Sequence, residues 1–376
     1  MEVALLKPPP ELIARVPKVL LHDHLDGGLR PATVLELAAE GGYDGLSEVD
    51  PGRLGDWFHE GAAQGNLAHY LAGFAHTIAV MQTAEALERV AFEFVEDVAA
   101  DNVVYAEVRF APHFHTSESL GLDAAMLAVL DGLRRGARDF GVETGLIVCA
   151  MRNEPAELSM QLVELALAYR EQGCVGFDLA GEEAGHPAKE HIRAFQLAKR
   201  MNFQITIHAG ESFGPESIWQ ALQYCGAHRI GHGTRLVEDL VVYEGKVIKV
   251  GLLAQYVLDQ RVPLELCLSS NVDTGATPSI DEHPFPLFHE LGFRVTLNTD
   301  NRLMSRTSMS REYGIAVERF GCTLDDLEVI SINGMKSAFT HYEHRCRLIY
   351  ERIKKGFADL RKEYGLPSRA PYGTPD

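Results

Sequence analysis

A chain of 376 residues, 46% hydrophobic and 8% aromatic, can bury a large core, enough for one large α/β domain or two ordinary ones. Its 53 acidic against 35 basic residues give a net charge of -18, a field that repels nucleic-acid backbones and anionic lipid and so disfavours both as partners. Six scattered cysteines without a C-x-x-C, no signal-peptide pattern over Met1 to Pro10, and no apolar run near the ~20 residues of a membrane span lead us to expect a soluble cytoplasmic protein.

Apolar runs that end in polar or glycine-containing turns mark the strands. In chain order they are Val16 to His22, Val103 to Phe110, Glu143 to Ala150 and Cys174 to Ala180. Phe203 to Ala209, Arg229 to Gly231, Pro263 to Ser269 and Phe293 to Thr299 follow. Most are separated by stretches of helical period, such as Ala124 to Phe140 and Glu157 to Glu171. Eight strand–helix units predict a closed (β/α)₈, TIM-type barrel occupying residues 1–376 as one domain. A doubly wound open sheet is disfavoured, because no G-x-G-x-x-G follows the first strand. The stretch between His22 and Val103 is far longer than a crossover needs, so a helical insertion is expected over about 31–100, after the first strand. Within it Leu54, Trp57 and Phe58 share one apolar face, which suits either packing on the barrel or a lid over a flat apolar substrate. The tail 366–376, with its prolines and glycines, reads as loose.

Polar residues collect where these strands end. His22 and His24 share one face, since strand side chains repeat every two residues, and both can reach one metal. With sixteen histidines such a pair is weak evidence alone; His113/His115 is another. The fourth strand ends in Asp178-Leu179-Ala180-Gly181-Glu182-Glu183, the fifth in His208-Ala209-Gly210-Glu211, and the sixth in Gly231-His232-Gly233. Ser269, Ser270 and Asn271 follow the seventh strand, and Asn298-Thr299-Asp300-Asn301 the eighth. In isolation His208 and Glu211 are as well explained by a strand end and a helix start as by a ligand and a proton carrier. Convergence at the carboxyl face of a barrel favours the chemical reading. Three histidines and an aspartate make a nitrogen-rich site for one divalent metal, better suited to zinc than to magnesium or calcium. No lysine sits on the fourth strand to bridge two metals, so one is expected.

Taken together, His22-Asp23-His24-Leu25-Asp26-Gly27, the Asp178 to Glu183 run, Thr206-Ile207-His208-Ala209-Gly210-Glu211, Gly231-His232-Gly233 and Asn298-Thr299-Asp300 resemble the adenosine deaminase family. The resemblance runs from about Val16 to about Ser337. It implies one zinc per chain, held by His22, His24, His208 and Asp300, whose water becomes hydroxide and attacks C6 of the purine. It further implies that Glu211, kept protonated by burial, protonates N1, while His232 steers the hydroxide with help from Asp300. By the same resemblance His24 and Asp26 bind the substrate, Asp26 accepting from the ribose 5′-hydroxyl, and the Gly181 N–H donates to N3. Leu54, Trp57 and Phe58 correspond to an apolar gate over the purine. Many members carry two consecutive aspartates after Asn-Thr, whereas here Asn301 follows Asp300. N7 of adenine only accepts, so the amide of Asn301 is expected to donate to it at every pH.

The expected substrate is therefore a small purine nucleoside, adenosine or 2′-deoxyadenosine, hydrolysed to inosine or 2′-deoxyinosine and ammonia. Another 6-aminopurine deaminase, acting on adenine or aminodeoxyfutalosine, is the runner-up. A barrel that merely binds nucleoside or metal is the alternative from a different class. It leaves Glu211 and His232 unexplained, since neither is needed to hold zinc. The sequence says nothing about oligomeric state.

Overall fold

The computed structural model describes residues 7–117 and 119–368. Eight parallel strands are hydrogen-bonded in the order β1 (Lys18–Leu20), β2 (Val103–Phe110), β3 (Glu143–Met151), β4 (Cys174–Ala180), β5 (Gln204–Ala209), β6 (Arg229–His232), β9 (Leu264–Leu266) and β10 (Val295–Leu297). They form a barrel with helices between them. Because neighbouring strands are parallel, every link is a long crossover rather than a tight hairpin. The barrel closes through the residues just past β1 and β10: the Asp300 N–H donates to the His22 carbonyl at 2.9 Å, and the His24 N–H to the Asp300 carbonyl at 2.7 Å. Below this, the Leu21 N–H donates to the Asn298 side-chain oxygen at 2.9 Å. The seam is thus built from the residues that carry the polar motifs.

Several strands are shorter than the apolar runs that announced them. The seventh run, Pro263 to Ser269, gives a strand only over Leu264–Leu266, and Leu268–Asp273 coils into a helix that carries Ser269, Ser270 and Asn271. A two-stranded antiparallel hairpin, β7 (Leu240–Tyr243) and β8 (Lys246–Val250), stands outside the barrel and was not anticipated. Its turn residues Glu244 and Gly245 have φ of 49° and 74°, the conformation of a two-residue turn that matches strand twist. The Glu-Gly pair between β-branched runs was its sequence signal.

Between β1 and β2 lie helices Pro31–Gly41, Pro51–Ala62, Leu67–Ala72, Phe74–Val80 and Ala84–Ala100. Asp50 and Asn66 cap two of them by accepting backbone N–H bonds. At the other end of the chain, Leu366 donates its N–H to the Arg361 carbonyl at 2.8 Å and packs against the core. The rest of the tail expected to be loose, residues 369–376, lies outside the described residues. Among the described residues no helix is long and apolar enough to cross a membrane.

Candidate active site

His22 and His24 leave the end of β1, His208 lies at the end of β5 and Asp300 follows β10, so three strand ends aim four side chains into one space. The ligand-capable atoms of these residues all lie within 4.8 Å of one another. His24 Nε2 is 3.1 Å from His208 Nε2, and Asp300 Oδ1 is 3.3 Å from His22 Nε2 and 3.4 Å from His24 Nε2. The far side of two rings is tied down. His22 Nδ1 donates to Glu265 Oε2 at 2.8 Å, and His208 Nδ1 faces Asp178 Oδ2 at 3.1 Å. Those bonds place the protons on Nδ1 and turn the Nε2 lone pairs inward, the second-layer arrangement that orients imidazole ligands. The buried His22 Nε2 has no hydrogen-bond partner. Two inward lone pairs and a carboxylate oxygen at these separations, with His24 Nε2 beside them, repel one another unless a cation lies between them. The donor set fits a divalent cation of zinc's preferences.

Beneath the cluster the barrel interior is charged. Arg109 Nη1 donates to Asp178 Oδ2 at 2.8 Å and Arg109 Nη2 to Glu265 Oε2 at 3.1 Å. Arg229 bridges Glu265 at 2.5 Å and Glu107 at 2.6 Å. Burial alone would raise the carboxyl of Asp178, but His208 and Arg109 hold it well below the ordinary range. Glu265 is likewise held low against burial by Arg229 and Arg109. None of Glu107, Arg109, Arg229 or Glu265 was singled out from sequence. Glu107 and Arg109, two residues apart in a strand buried along its whole length, were the available signal.

Glu211 lies beside the cluster, buried, with Oε2 3.7 Å from His232 Nε2. Burial drives its carboxyl well above the usual range, and the charges of Asp300 and Glu183 push the same way. The turn that presents it is held by one carboxylate. Glu183 Oε1 accepts from the Gly210 N–H at 2.7 Å, and Oε2 accepts from Glu211, Ser212 and Phe213 at 3.0, 2.8 and 2.9 Å. Gly210 has φ of 72°, and a Cβ there would meet Ile218 at 2.5 Å, so glycine is required. Behind the turn, the buried Arg152 donates to the carbonyls of His186 and His208. Glu183 was quoted from sequence only as part of a motif; its partners lie 27 to 30 residues away and left no local pattern.

These groups open into a cavity of about 450 Å³ whose wall includes His24, Asp26, Gly181, His208, Glu211, His232, Asp300 and Asn301. Gly181 has φ of 94° and brings its backbone to the wall. The Asn301 side-chain oxygen is buried without a hydrogen-bond partner and is turned to Gly27, where an added Cβ would come within 1.9 Å of it. Asp26 is buried with Oδ1 unpartnered, and its Oδ2 lies 3.5 Å from His115 Nε2. The second H-x-H pair is therefore not part of the metal cluster; its His115 backs Asp26.

Leu54, Trp57 and Phe58 do not line the cavity: Leu54 and Phe58 are buried in the core, and Trp57 packs half-buried against Phe58 and His76. Their helix turns its apolar face inward, burying Leu54, Phe58 and Ala62. The wall comes from the next two helices, through Leu67, Leu71, Phe74 and Ile78. That i, i+4, i+7, i+11 stripe was readable, but Gly73 breaks it into two short helices. A separate cavity of about 510 Å³, bordered by Gly28, Arg30, Arg302 and Ser308, contains none of the clustered ligands.

Comparison with known proteins follows the same lines. A family model described as adenosine deaminase matches residues 17–355. The chain is 54% identical over 362 residues to adenosine deaminase 1 of Streptomyces coelicolor, covering 95% of this chain and 91% of that protein. In fold it is similar to an adenine deaminase from Arthrobacter aurescens, with a TM-score of 0.81 at 24% identity, covering 92% and 99% of the two chains. An amidohydrolase from Burkholderia ambifaria with bound Zn gives a TM-score of 0.81 at 23% identity, over 95% of this chain and 94% of that one.

Proposed function

The chain belongs to the adenosine deaminase family, and from that premise we propose how its residues divide the work of deaminating adenosine. The enzyme hydrolyses adenosine and 2′-deoxyadenosine to inosine and 2′-deoxyinosine, releasing ammonia. His22, His24, His208 and Asp300 hold one zinc per chain. Bound there, zinc supplies the Lewis acidity that ionises water near neutral pH.

The chain's own groups do the rest. Glu211, uncharged because it is buried beside Asp300, gives its proton to purine N1 and so makes C6 electrophilic. His232 and Asp300 hold the attacking oxygen on the correct side of the ring. The Gly181 N–H donates to N3, and the Asn301 amide, its oxygen turned to Gly27, offers its NH₂ to N7. Asp26 accepts from the 5′-hydroxyl, with His24 flanking the ribose, while Leu71 and Phe74 cover the apolar face of the base. Five of the six cysteines are free and buried, which suits the cytoplasm.

The observation that carries this reading is the placement of Glu211 and His232 in the same pocket as His24, His208 and Asp300, three of the four clustered residues. A substrate panel tests it: adenosine, 2′-deoxyadenosine, adenine, AMP and aminodeoxyfutalosine, each followed by ammonia release. The two nucleosides should give the highest kcat/KM. A higher value for adenine or aminodeoxyfutalosine would overturn the assignment.

A further inference from the structure

Behind the pocket wall a chain of hydrogen bonds ends on His232, and its starting point fixes the direction of each link. The Phe285 backbone N–H donates to His283 Nδ1 at 3.0 Å. A backbone N–H can only donate, so His283 Nδ1 carries a lone pair and its proton sits on Nε2. His283 is buried, which holds its pKa down to about 3 and keeps the ring neutral. Its Nε2–H then donates to Asn271 Oδ1 at 3.2 Å. The Cys267 N–H donates to the same oxygen at 3.3 Å. Two donors on Oδ1 settle which end of the Asn271 amide is which. Its Nδ2 therefore donates to His232 Nδ1, at 2.9 Å.

We infer that the His283–Asn271 pair is a positioning relay that locks His232 into one tautomer, with the lone pair on Nδ1 and the proton on Nε2. The locked ring presents an N–H donor toward Glu211 and the Asp300 side of the pocket, 3.7 Å from Glu211 Oε2. A donor at that spot grips an attacking oxygen through its lone pair and leaves the oxygen's own geometry set by the opposite wall. The other tautomer would aim a lone pair at the oxygen and lose that grip. His232 itself is held with φ of 61°, so ring placement and proton placement are both imposed by the fold. The inference rests on the role given to His232 under Proposed function. It adds two residues, Asn271 and His283, that touch neither substrate nor the clustered ligands His22, His24 and His208.

The test uses the zinc-loaded, full-length enzyme with ¹⁵N-labelled histidine, the His232 signals being assigned by their loss in His232→Gln. Wild type should show an unprotonated Nδ1 and a protonated Nε2 on His232. His283→Leu removes the donor that orients Asn271. The His232 tautomers should then mix and kcat should fall roughly 10–100-fold, the usual cost of losing an orienting partner, with KM little changed. His283→Gln keeps a donor for Asn271 and an acceptor for the Phe285 N–H, and should restore both the ¹⁵N pattern and the rate. Asn271→Asp supplies only acceptors, so it should reverse the tautomer even where His283→Leu proves too unstable to study. An unchanged His232 tautomer in Asn271→Asp, or a Gln variant as impaired as Leu, would overturn the relay. A changed tautomer with unchanged kcat would leave the relay standing and overturn the role given to His232.

Discussion

His232 and Asp300 both hold backbone in the left-handed region, with φ of 61° and 58°. That conformation is uncommon for residues with a Cβ and persists only where surrounding bonds impose it. Here Asp300 is imposed by the seam of the barrel, since its N–H and carbonyl pair with the backbone on either side of Asp23. Residue identity at such points was legible as motif, because the side chains of the candidate metal site lie within a few residues of strand ends. Glu265 was not singled out, and Glu183 and Asn271 were quoted only within their motifs without a role, because each acts across the fold on a partner in another element. Two predictions belong at this scale. Asp26→Ala should raise KM for adenosine by about 1.5–3 kcal/mol equivalent, the contribution of a hydroxyl bonded to a charged acceptor, and hardly affect 5′-deoxyadenosine. Equal losses on both substrates would mean that Asp26 serves only to shape the turn beside His24. For Asn301, 7-deazaadenosine should lose at least ~1 kcal/mol in kcat/KM against adenosine, and Asn301→Ala should erase most of that difference. Undiminished discrimination in the variant would make Asn301 a turn former alone.

Elements were easier to foresee than their ends. The eight strand positions were legible from apolar runs, and the insertion from the length of chain it occupies. Strand limits were blurred where an apolar run continued past the last ladder bond, as at Leu268, whose helix needs apolar residues just as a strand does. The insertion also shows why an apolar stripe does not reveal which surface it faces. Leu54 and Phe58 lie in one stripe and Leu71 and Phe74 in the next, yet the first pair fills the core and the second borders the cavity. The difference is measurable. Leu54→Ala should cost about 2–5 kcal/mol of stability through a buried cavity and leave KM for adenosine unchanged. Phe74→Ala should raise KM about tenfold, the worth of ~1.4 kcal/mol of lost apolar contact, with a smaller change in melting temperature. A KM effect from Leu54→Ala larger than that from Phe74→Ala would place the gate on the Pro51–Ala62 helix.

At the scale of the whole molecule the barrel is a shell of apolar packing around a charged axis. Arg109 and Arg229 pair with Asp178, Glu107 and Glu265, and these carboxylates carry the orienting bonds up to His22 and His208. Such a lattice makes stability depend on pH through buried groups that must stay in one protonation state. His283 is the clearest case outside the metal cluster. Its folded-state pKa of about 3 lies below its ordinary 6.5, so the unfolded chain binds a proton that the native ring refuses. Its contribution is complete above pH 6.5 and is lost progressively as pH falls toward 3. Between pH 7 and pH 5 wild type should therefore lose roughly 2 kcal/mol from this group, at about 1.4 kcal/mol per pH unit once below 6.5. His283→Gln should show a correspondingly flatter denaturant stability over that range; parallel pH profiles would contradict the assignment.

The central claim is a division of labour: four residues hold the metal, and Glu211 handles the proton without being a ligand. The most direct measurement is the metal-to-protein ratio of Glu211→Gln, taken on the same sample as its kcat for adenosine. The account predicts wild-type metal content with kcat reduced roughly 10²–10⁴-fold, the range for a lost general acid. Loss of the metal from this variant, or an undiminished kcat with the metal in place, would contradict it.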